Sequence, residues 1–456
     1  MSRSQSPTTL GSQIAARLLT TVILFAASAL PSQAIEIAKV VSPDGIEAWL
    51  VRDTSIPLFS IEFSFRSGQT HDPRGKAGLA NFVSGLLDEG AGPLNSKLFQ
   101  AELQNRSIRM SFAAGRDTFQ GSLKALNKHR DKSVELLALA LTQPRFDTEP
   151  VERLRQQTLI GLKHQSTNPD YIAGRTWSKV VYGEHPYSIA SSGTEETINS
   201  INRADLIDFV KQRFAKNQLI IGVTGDITAK ELGPLLDRAF GALPNETELP
   251  KIAKAPVKIQ GETYVVNFDV PQSSIIFGQP GIQRNDTDWY TALLMNYILG
   301  GGGFGSRLYT EIREKRGLAY SVGTHLHPMR LSALIFGSAG TKNERVAESL
   351  NLVKSEWSRM RNGGVTTEEL ERAKSYLTGS FPLRLSSTNA IARMLVSIQY
   401  HDLGIDYIDK RASYINAVSR DRIAKLANQL LDPDKLTFVV VGKPKDVQAT
   451  ARAPQI

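Results

Sequence analysis

The amino-acid sequence predicts an α+β protein of two homologous domains, each a mostly antiparallel sheet packed with helices. The chain has 456 residues, 41% of them apolar, which is enough for two domains of about 200 residues each. An internal repeat divides it into two copies of one unit. Strand and helix patterns do not alternate one by one along either copy, so an antiparallel sheet is favoured over a doubly wound parallel one.

The repeat is carried by segments that recur in the same order in both halves of the chain. Residues 96–99 (SKLF) return as residues 306–309 (SRLY), and residues 218–226 (QLIIGVTGD) return as residues 435–443 (KLTFVVVGK). A period this long indicates a duplicated domain and not a solenoid. A charged segment with prolines and without periodicity separates the two copies and is typical of a linker.

The N-terminus has the composition of an export signal. Arg3 and Arg17 supply positive charge without acids, an apolar run covers residues 18–30, and residues 32–34 (SQA) offer a small-x-small cleavage site. The apolar run is short for a membrane span, and a retained anchor is the alternative. The predicted segments are a signal peptide (1–34), an N-terminal domain (35–245), a linker (246–257), a C-terminal domain (258–446) and a tail (447–456).

Composition narrows the function classes. The sequence has no cysteine, which excludes disulfides and thiolate chemistry and, for an exported chain, favours a bacterial periplasm. The formal net charge is +9, but Lys and Arg are scattered without a dense basic block. This distribution argues against nucleic-acid binding and permits a mild preference for acidic partners.

Local patterns place several elements. The alternating apolar residues of Leu58–Phe65 predict a half-buried strand. Apolar residues recur at helical spacing through residues 79–87, which predicts a helix with one buried stripe. Residues 366–369 (TTEE) form a capping box, so we expect a helix to begin there and run toward Leu377.

Longer runs in both halves carry more specific information. They are residues 71–80 (HDPRGKAGLA), 182–187 (YGEHPY), 300–308 (GGGGFGSRL), 313–321 (REKRGLAYS), 370–374 (LERAK) and 379–383 (GSFPL). Together they resemble the pitrilysin-like (M16, insulinase-type) family of zinc metallopeptidases over nearly the whole mature chain. The resemblance implies the duplicated metallohydrolase fold of that family and peptide hydrolysis as the family's activity.

The zinc motif of that family is degenerate here. In active members His-x-x-Glu-His follows the first of these runs, and its histidines bind zinc while its glutamate activates water. The matching residues are Asn81, Ser84 and Gly85, none of which is a suitable zinc ligand or base. The family's third ligand is a glutamate, and the matching residues 159–162 (LIGL) contain no acid. The resemblance therefore implies that this chain holds no metal or other cofactor.

The second domain keeps another functional pair of the family. In active peptidases an arginine and a nearby tyrosine of the C-terminal half contact the bound peptide, and the matching residues here are Arg313 and Tyr320. An arginine can donate to a peptide carbonyl, and a tyrosine hydroxyl can donate to a developing oxyanion. We expect a helix over residues 306–314 and a strand over residues 318–322, which would let the pair converge. Arg316 is a rival to Arg313.

A run of four glycines allows two interpretations. The family resemblance implies a flexible substrate-binding loop, whereas a helix C-cap after Leu299 is the structural alternative. No Gly-Lys-Ser/Thr sequence follows, so a phosphate-binding loop is not favoured. The residues concerned are Gly300, Gly301, Gly302 and Gly303.

The histidines offer no obvious substitute metal site. His185 lies next to a proline within the second of the family-like runs, and we expect it to be structural. His325 and His327 would point the same way from one strand, but no third ligand is apparent.

An intact Arg/Tyr pair beside a degenerate zinc motif implies half of a two-component enzyme. In the family's two-component members, such as mitochondrial processing peptidase, one subunit carries zinc and the other supplies Arg and Tyr. We therefore expect a periplasmic heterodimer with a homologous subunit that carries His-x-x-Glu-His and zinc. It would act on peptides, with no nucleic acid and no membrane attachment after signal cleavage. The alternative is a proteolytically inactive peptide-binding or structural subunit.

Overall fold

The computed structural model describes residues 35–456, so the predicted signal peptide at residues 1–34 lies outside the described residues. Two large sheets dominate the structure, together with a short pair of two-residue strands. Among the described residues, no helix combines the length and the apolar character that crossing a membrane requires.

The strands of the two domains follow the order of the repeat. The first domain contains β1 (Ile37–Val41), β2 (Glu47–Arg52), β3 (Leu58–Phe65), β4 (Gly90–Ala91), β5 (Leu94–Asn95), β6 (Arg109–Ala114), β7 (Phe119–Leu126) and β8 (Leu219–Gly225). The second domain contains β9 (Thr263–Asn267), β10 (Gln272–Pro280), β11 (Ala319–Pro328), β12 (Ala333–Lys342) and β13 (Thr437–Gly442).

The helices are distributed over both domains. The first domain contains α1 (Leu79–Ser84), α2 (Ser96–Asn105), α3 (Arg130–Thr142), α4 (Thr148–Gln165), α5 (Pro169–Tyr182), α6 (Glu195–Ser200), α7 (Arg203–Arg213) and α8 (Ala229–Phe240). The second domain contains α9 (Trp289–Asn296), α10 (Val346–Gly363), α11 (Thr367–Gly379), α12 (Thr388–Tyr400), α13 (Tyr407–Asn416) and α14 (Arg420–Leu430).

Both sheets have the same topology, which confirms the predicted duplicated α+β fold. The strand order β2-β8-β3-β7-β6 of the first sheet is repeated as β9-β13-β10-β12-β11 in the second, and β1 extends the first sheet at its edge. In each sheet one pair is parallel, β2 with β8 and β9 with β13. The other ladders between described strands are antiparallel.

Strand β3 shows how the sequence pattern creates two different faces. Its predicted bounds are confirmed, but the expected half-buried strand is wrong, because every residue after Leu58 is buried. The aromatic residues Phe63 and Phe65 point into the core of the first domain. The Phe63 ring lies edge-on to the ring of Phe240 in α8, with 5.3 Å between centroids. Because side chains alternate along a strand, Ser60 and Glu62 lie on the opposite face. That polar face is directed toward the other domain.

A helix from the opposite domain covers the second face of each sheet. Helix α12 of the second domain packs on β3 and β8, and α5 of the first domain packs on β10 and β13. A Cβ atom added at Gly222 in β8 would lie 2.3 Å from the carbonyl oxygen of Ala392 in α12, so glycine permits this approach. The Gln399 side chain of α12 donates to the carbonyl of Ile221 at 2.9 Å. The domains are thus joined by a reciprocal exchange of helices.

A buried hydrogen-bond network also joins the domains. The Tyr187 hydroxyl donates to Asp117 at 2.7 Å and accepts the backbone N–H of Leu331 at 3.1 Å. The backbone N–H of Arg330 donates to the same carboxylate at 3.2 Å. His185 accepts the Tyr187 backbone N–H through Nδ1 at 3.1 Å, which gives this histidine a structural role. The network accounts for the Tyr and His of the 182–187 run.

Of the remaining sequence predictions, one helix start is confirmed and one helix is shorter than expected. Helix α11 begins at the predicted capping box, in which Thr366 and Glu369 bond each other's backbone. The helix predicted over residues 79–87 is shorter, because α1 ends at Ser84 and Gly85 is its C-cap. The residue numbers at which one domain ends and the other begins remain a prediction. Each sheet packs against a helix from the other half of the chain, so the contacts of a sheet do not mark one continuous stretch of sequence.

The close approach of α12 to β8 predicts a stability cost for a side chain at residue 222. In Gly222→Ala the new methyl group would meet helix backbone, so the free energy of unfolding should fall by about 1–3 kcal/mol. Urea denaturation measures this change. Gly340→Ala in β12 is the control, because its Cβ would meet nothing within 4 Å. Equal losses in the two variants would contradict the packing argument.

Candidate functional site

The degenerate zinc motif faces a small cleft of about 210 Å³ between α1 and α4. Asn81 lines it from α1, and Gly161 and Leu162 line it from α4. The Asn81 side chain accepts a hydrogen bond from Gln69 Nε2 at 3.1 Å and donates to the carbonyl of Ser191 at 2.8 Å. Asn81 therefore bridges two segments of the protein through both ends of its amide.

The other motif positions do not fit a zinc ion either. The Ser84 hydroxyl donates to the carbonyl of Asn81 within its own helix at 2.8 Å. A Cβ atom at Gly85 would lie 3.0 Å from the Leu154 side chain. With an amide already bonded and a hydroxyl turned to the backbone, the cleft has no suitable donor set.

No substitute metal site is formed by the histidines. Within residues 35–456, no group of three or more His, Asp or Glu side chains is placed to hold a metal ion. His325 and His327 lie on β11 as predicted. Their rings pack near Phe336, at centroid distances of 5.9 and 5.4 Å.

A buried ion pair holds the run of residues that leads into α1. Asp72 accepts a hydrogen bond from Arg213 Nη1 at 3.0 Å and one from the backbone N–H of Ala80 at 3.1 Å. The exposed fractions of the two side chains are 6% for Arg213 and 2% for Asp72. Arg213 also donates to the carbonyls of Gly68 and His71. This ion pair was not predicted from the sequence, although Asp72 in the 71–80 run was the available signal.

The structure brings Arg313 and Tyr320 together. Arg313 Nη1 donates to the backbone carbonyl of Tyr320 at 2.6 Å. Its guanidinium carbon lies 4.9 Å from the centroid of the Tyr320 ring and 5.0 Å from that of the Tyr309 ring. Tyr320 is 79% exposed. The two residues singled out from the sequence therefore form one surface feature, with the arginine held between two aromatic rings.

Both residues of this pair lie on irregular backbone. A helix lies where it is predicted over residues 306–314, but from Tyr309 to Glu314 it is a π-helix and not an α-helix. The backbone N–H of Lys315 accordingly donates to the carbonyl of Thr310 at 3.0 Å. Tyr320 is the extra residue of a β-bulge in β11, where the register with β12 shifts. Both irregularities redirect side chains, and both are frequent next to functional sites.

Arg316, the rival candidate, is bound elsewhere. Its Nη1 atom lies 2.6 Å from Glu311 Oε2 and also donates to the Glu311 carbonyl at 2.8 Å. Hydrogen bonds from Lys315 and Arg316 lower the pKa of Glu311 and keep it ionised. The geometry therefore pairs Arg313, and not Arg316, with Tyr320.

The glycine run packs against the strand that carries Tyr320. A Cβ atom at Gly300 would lie 2.5 Å from the Thr324 hydroxyl of β11, so this position requires glycine. The helix does not stop after Leu299, because Tyr297–Gly301 continues α9 as a π-helical turn, which argues against a simple C-cap. Gly302 and Gly303 follow, and the exposed Phe304 contacts the Tyr309 ring at 4.8 Å between centroids.

From the geometry of the cleft at α1 we expect that substituting the three motif residues alone will not restore zinc binding. Asn81→His, Ser84→Glu and Gly85→His together should give no stoichiometric zinc after dialysis, because the third ligand is missing and Leu154 crowds residue 85. Adding Leu162→Glu places a carboxylate in the same cleft and should raise the retained zinc. Atomic absorption on both variants and on the unmodified chain measures this. Stoichiometric zinc in the triple variant would contradict the prediction.

Comparisons with known proteins identify the family to which the chain is similar. Residues 50–195 match the family model "Insulinase (Peptidase family M16)", and residues 200–377 match "Peptidase M16 inactive domain". A relative from Helicobacter pylori, "Non-peptidase homolog YmxG", is 29% identical and covers 92% of this chain and 95% of its own length. The "Probable mitochondrial-processing peptidase subunit beta" of Schizosaccharomyces pombe is 25% identical, over 80% of this chain and 82% of that protein.

A solved structure gives the same result. The crystal structure of a peptidase M16 inactive domain from Pseudomonas fluorescens superposes with a TM-score of 0.84 at 27% identity, and the match covers 91% of this chain and 100% of that one. The sequence runs, the duplicated fold and the two family models agree. The chain therefore belongs to the pitrilysin-like (M16, insulinase-type) peptidase family, and its own residues at the zinc-motif positions are Asn81, Ser84 and Gly85.

Proposed function

We propose that this chain is the non-zinc-binding subunit of a heterodimeric zinc metallopeptidase of the periplasm. Arg313 and Tyr320 contact a peptide held at the zinc site of a homologous partner that carries His-x-x-Glu-His. One observation carries the proposal: the pair is assembled at the surface, with Tyr320 exposed and Arg313 half-buried, whereas the cleft of the same chain that corresponds to the zinc site has no donor set for a metal.

The geometry of the pair supports its proposed chemistry. One N–H of Arg313 is bonded to the Tyr320 carbonyl, which fixes the guanidinium in place and leaves its other N–H groups for a peptide. The exposed Tyr320 ring presents a hydroxyl that can donate to an oxyanion. Zinc in the partner would activate water and polarise the scissile carbonyl. This chain would position the peptide and stabilise the charge that develops on it.

Two further observations support the partner and the compartment. The similarity to a protein named as a subunit of mitochondrial processing peptidase favours association with a second M16 chain. The signal-like composition of residues 1–34 favours export, and the absence of cysteine is compatible with the periplasm.

The proposal predicts a loss of turnover when the pair is altered within the assembled heterodimer. Arg313→Ala and Tyr320→Phe should each lower peptide cleavage by about 100-fold, because each removes a donor to the reacting peptide. The zinc content of the complex should not change. Matched controls are Arg238→Ala and Tyr414→Phe, which alter partly exposed residues elsewhere and should leave turnover unaffected.

Two results would contradict this proposal. Robust zinc-dependent cleavage by the mature chain without a partner would show that it needs no second subunit. Undiminished turnover in both Arg313→Ala and Tyr320→Phe complexes would remove the pair from the reaction, even if the heterodimer forms.

A second candidate is a proteolytically inactive peptide-binding or structural subunit. The name of the Helicobacter pylori relative, a non-peptidase homologue, favours it. This function predicts a complex that retains unfolded peptide without cleaving it. Fluorescence anisotropy of a labelled peptide, followed by mass spectrometry of the same sample, distinguishes binding from hydrolysis.

A further inference from the structure

A cavity of about 600 Å³ lies between the two domains. Its first wall is the polar face of β3 and the turn between β6 and β7, and its second wall is α12 and the turn between β11 and β12. Four arginines and two acids line it: Arg116, Arg330, Arg384, Arg393, Glu62 and Asp117. The volume suits a ligand of metabolite size.

The two acids of the cavity are bound mainly by neutral donors. Asp117 accepts hydrogen bonds from the Tyr187 hydroxyl and from the backbone of Arg330, whereas the Arg330 side chain approaches it only to 3.9 Å. Glu62 accepts from the Ser122 hydroxyl at 2.8 Å and from the Asn389 side chain at 3.0 Å.

Two of these arginines, Arg330 and Arg393, are therefore poorly neutralised. Arg393 lies 3.7 Å from Glu62, beyond ordinary hydrogen-bond length, and its side chain is 70% exposed. The acids of the cavity thus leave part of the donor capacity of Arg330 and Arg393 unused. Arginine matches carboxylate and phosphate geometry through paired N–H donors.

The surroundings of the cavity are also positive. An adjoining cavity of about 180 Å³ shares Arg330 and His401 with the first and adds two arginines, Arg66 and Arg284, and one acid, Asp402. Burial lowers the pKa of His401 to about 4, and the positive charges of Arg284 and Arg66 add to this effect. A histidine in this region is thereby kept neutral, while the arginines remain charged.

The duplicated fold provides an internal comparison. In the second domain, the equivalent sheet face is filled by apolar side chains, with Trp177 of α5 packed in one cluster with Val439 and Val441 of β13. In the first domain, the face toward α12 carries polar residues and encloses the cavity. Ser64 lines that cavity, and within the described part of the chain its buried hydroxyl has no hydrogen-bond partner. The fold does not require a polar hollow at this position, because its other copy is filled.

We infer that the cavity between the domains binds a small anion bearing carboxylate or phosphate groups, held chiefly by Arg330 and Arg393. Because the walls belong to different domains, the ligand bridges them. The inference does not depend on the proposed peptidase role. The same chemistry could come from a free small anion or from acidic side chains of a bound peptide.

Isothermal titration calorimetry of the purified mature chain at constant ionic strength tests this inference. The probes are inorganic phosphate, citrate and a capped tetraglutamate peptide, with sodium chloride and a capped tetraglutamine peptide as controls. We expect at least one anionic probe to bind saturably and the two controls to show no binding. Binding of phosphate or citrate alone identifies a free anion as the source, and binding of the peptide alone identifies acidic side chains.

Variants tie the binding to the cavity. Arg330→Gln with Arg393→Gln should weaken binding at least about 10-fold, because two cationic donors are lost. The matched surface pair Arg238→Gln with Arg345→Gln should bind like the unmodified chain. Glu62→Gln should bind more tightly, because it removes the negative charge beside Arg393 and keeps an acceptor for its hydrogen bonds.

Either of two outcomes overturns the inference. One is the absence of saturable binding for all three anionic probes. The other is unchanged affinity in an Arg330→Gln/Arg393→Gln chain that is folded by circular dichroism. If the double variant does not fold, the single Arg393→Gln variant, altered at an exposed side chain, replaces it, and unchanged affinity there counts equally against the site.

Discussion

Helix α12 rests on a sheet formed by the other domain, and α5 does the same in the reverse direction. One face of each sheet is therefore covered by a helix from the other half of the chain. The relative positions of the Arg/Tyr pair, the degenerate zinc cleft and the interdomain cavity all follow from this exchange. The contact between β8 and α12 is very close at Gly222, because even a methyl group there would displace the helix.

The cleft at α1 shows what replaces a metal site when its ligands are absent. Asn81 bonds two neighbouring segments, and the Asp72–Arg213 ion pair fixes the run that leads into the helix. These contacts are hydrogen bonds within the chain, and they form without a metal ion. The local fold around α1 is accordingly held by side chains of the chain itself.

Local features of this protein were predictable from sequence, and relations between distant segments were not. The alternation in β3 and the capping box of α11 each depend on a few adjacent residues. The family-like runs placed Arg313 and Tyr320, but not the π-helix or the β-bulge beneath them, because one inserted residue leaves no periodic signal. The exchanged helices and the arginine cavity were missed because their residues come from separate segments of the chain.

The hydrogen bond from Arg313 to the carbonyl of Tyr320 has an energetic consequence for any peptide that reaches this site. The Tyr320 carbonyl uses one of the five N–H donors of the guanidinium, so the others stay available to a peptide while this bond is kept. Because the internal bond fixes the arginine side chain in advance, less side-chain entropy is lost when a peptide binds. A carbonyl oxygen that acquires negative charge gains most from the remaining donors. The internal contact thus pre-organises the arginine for the charged state of the bound group.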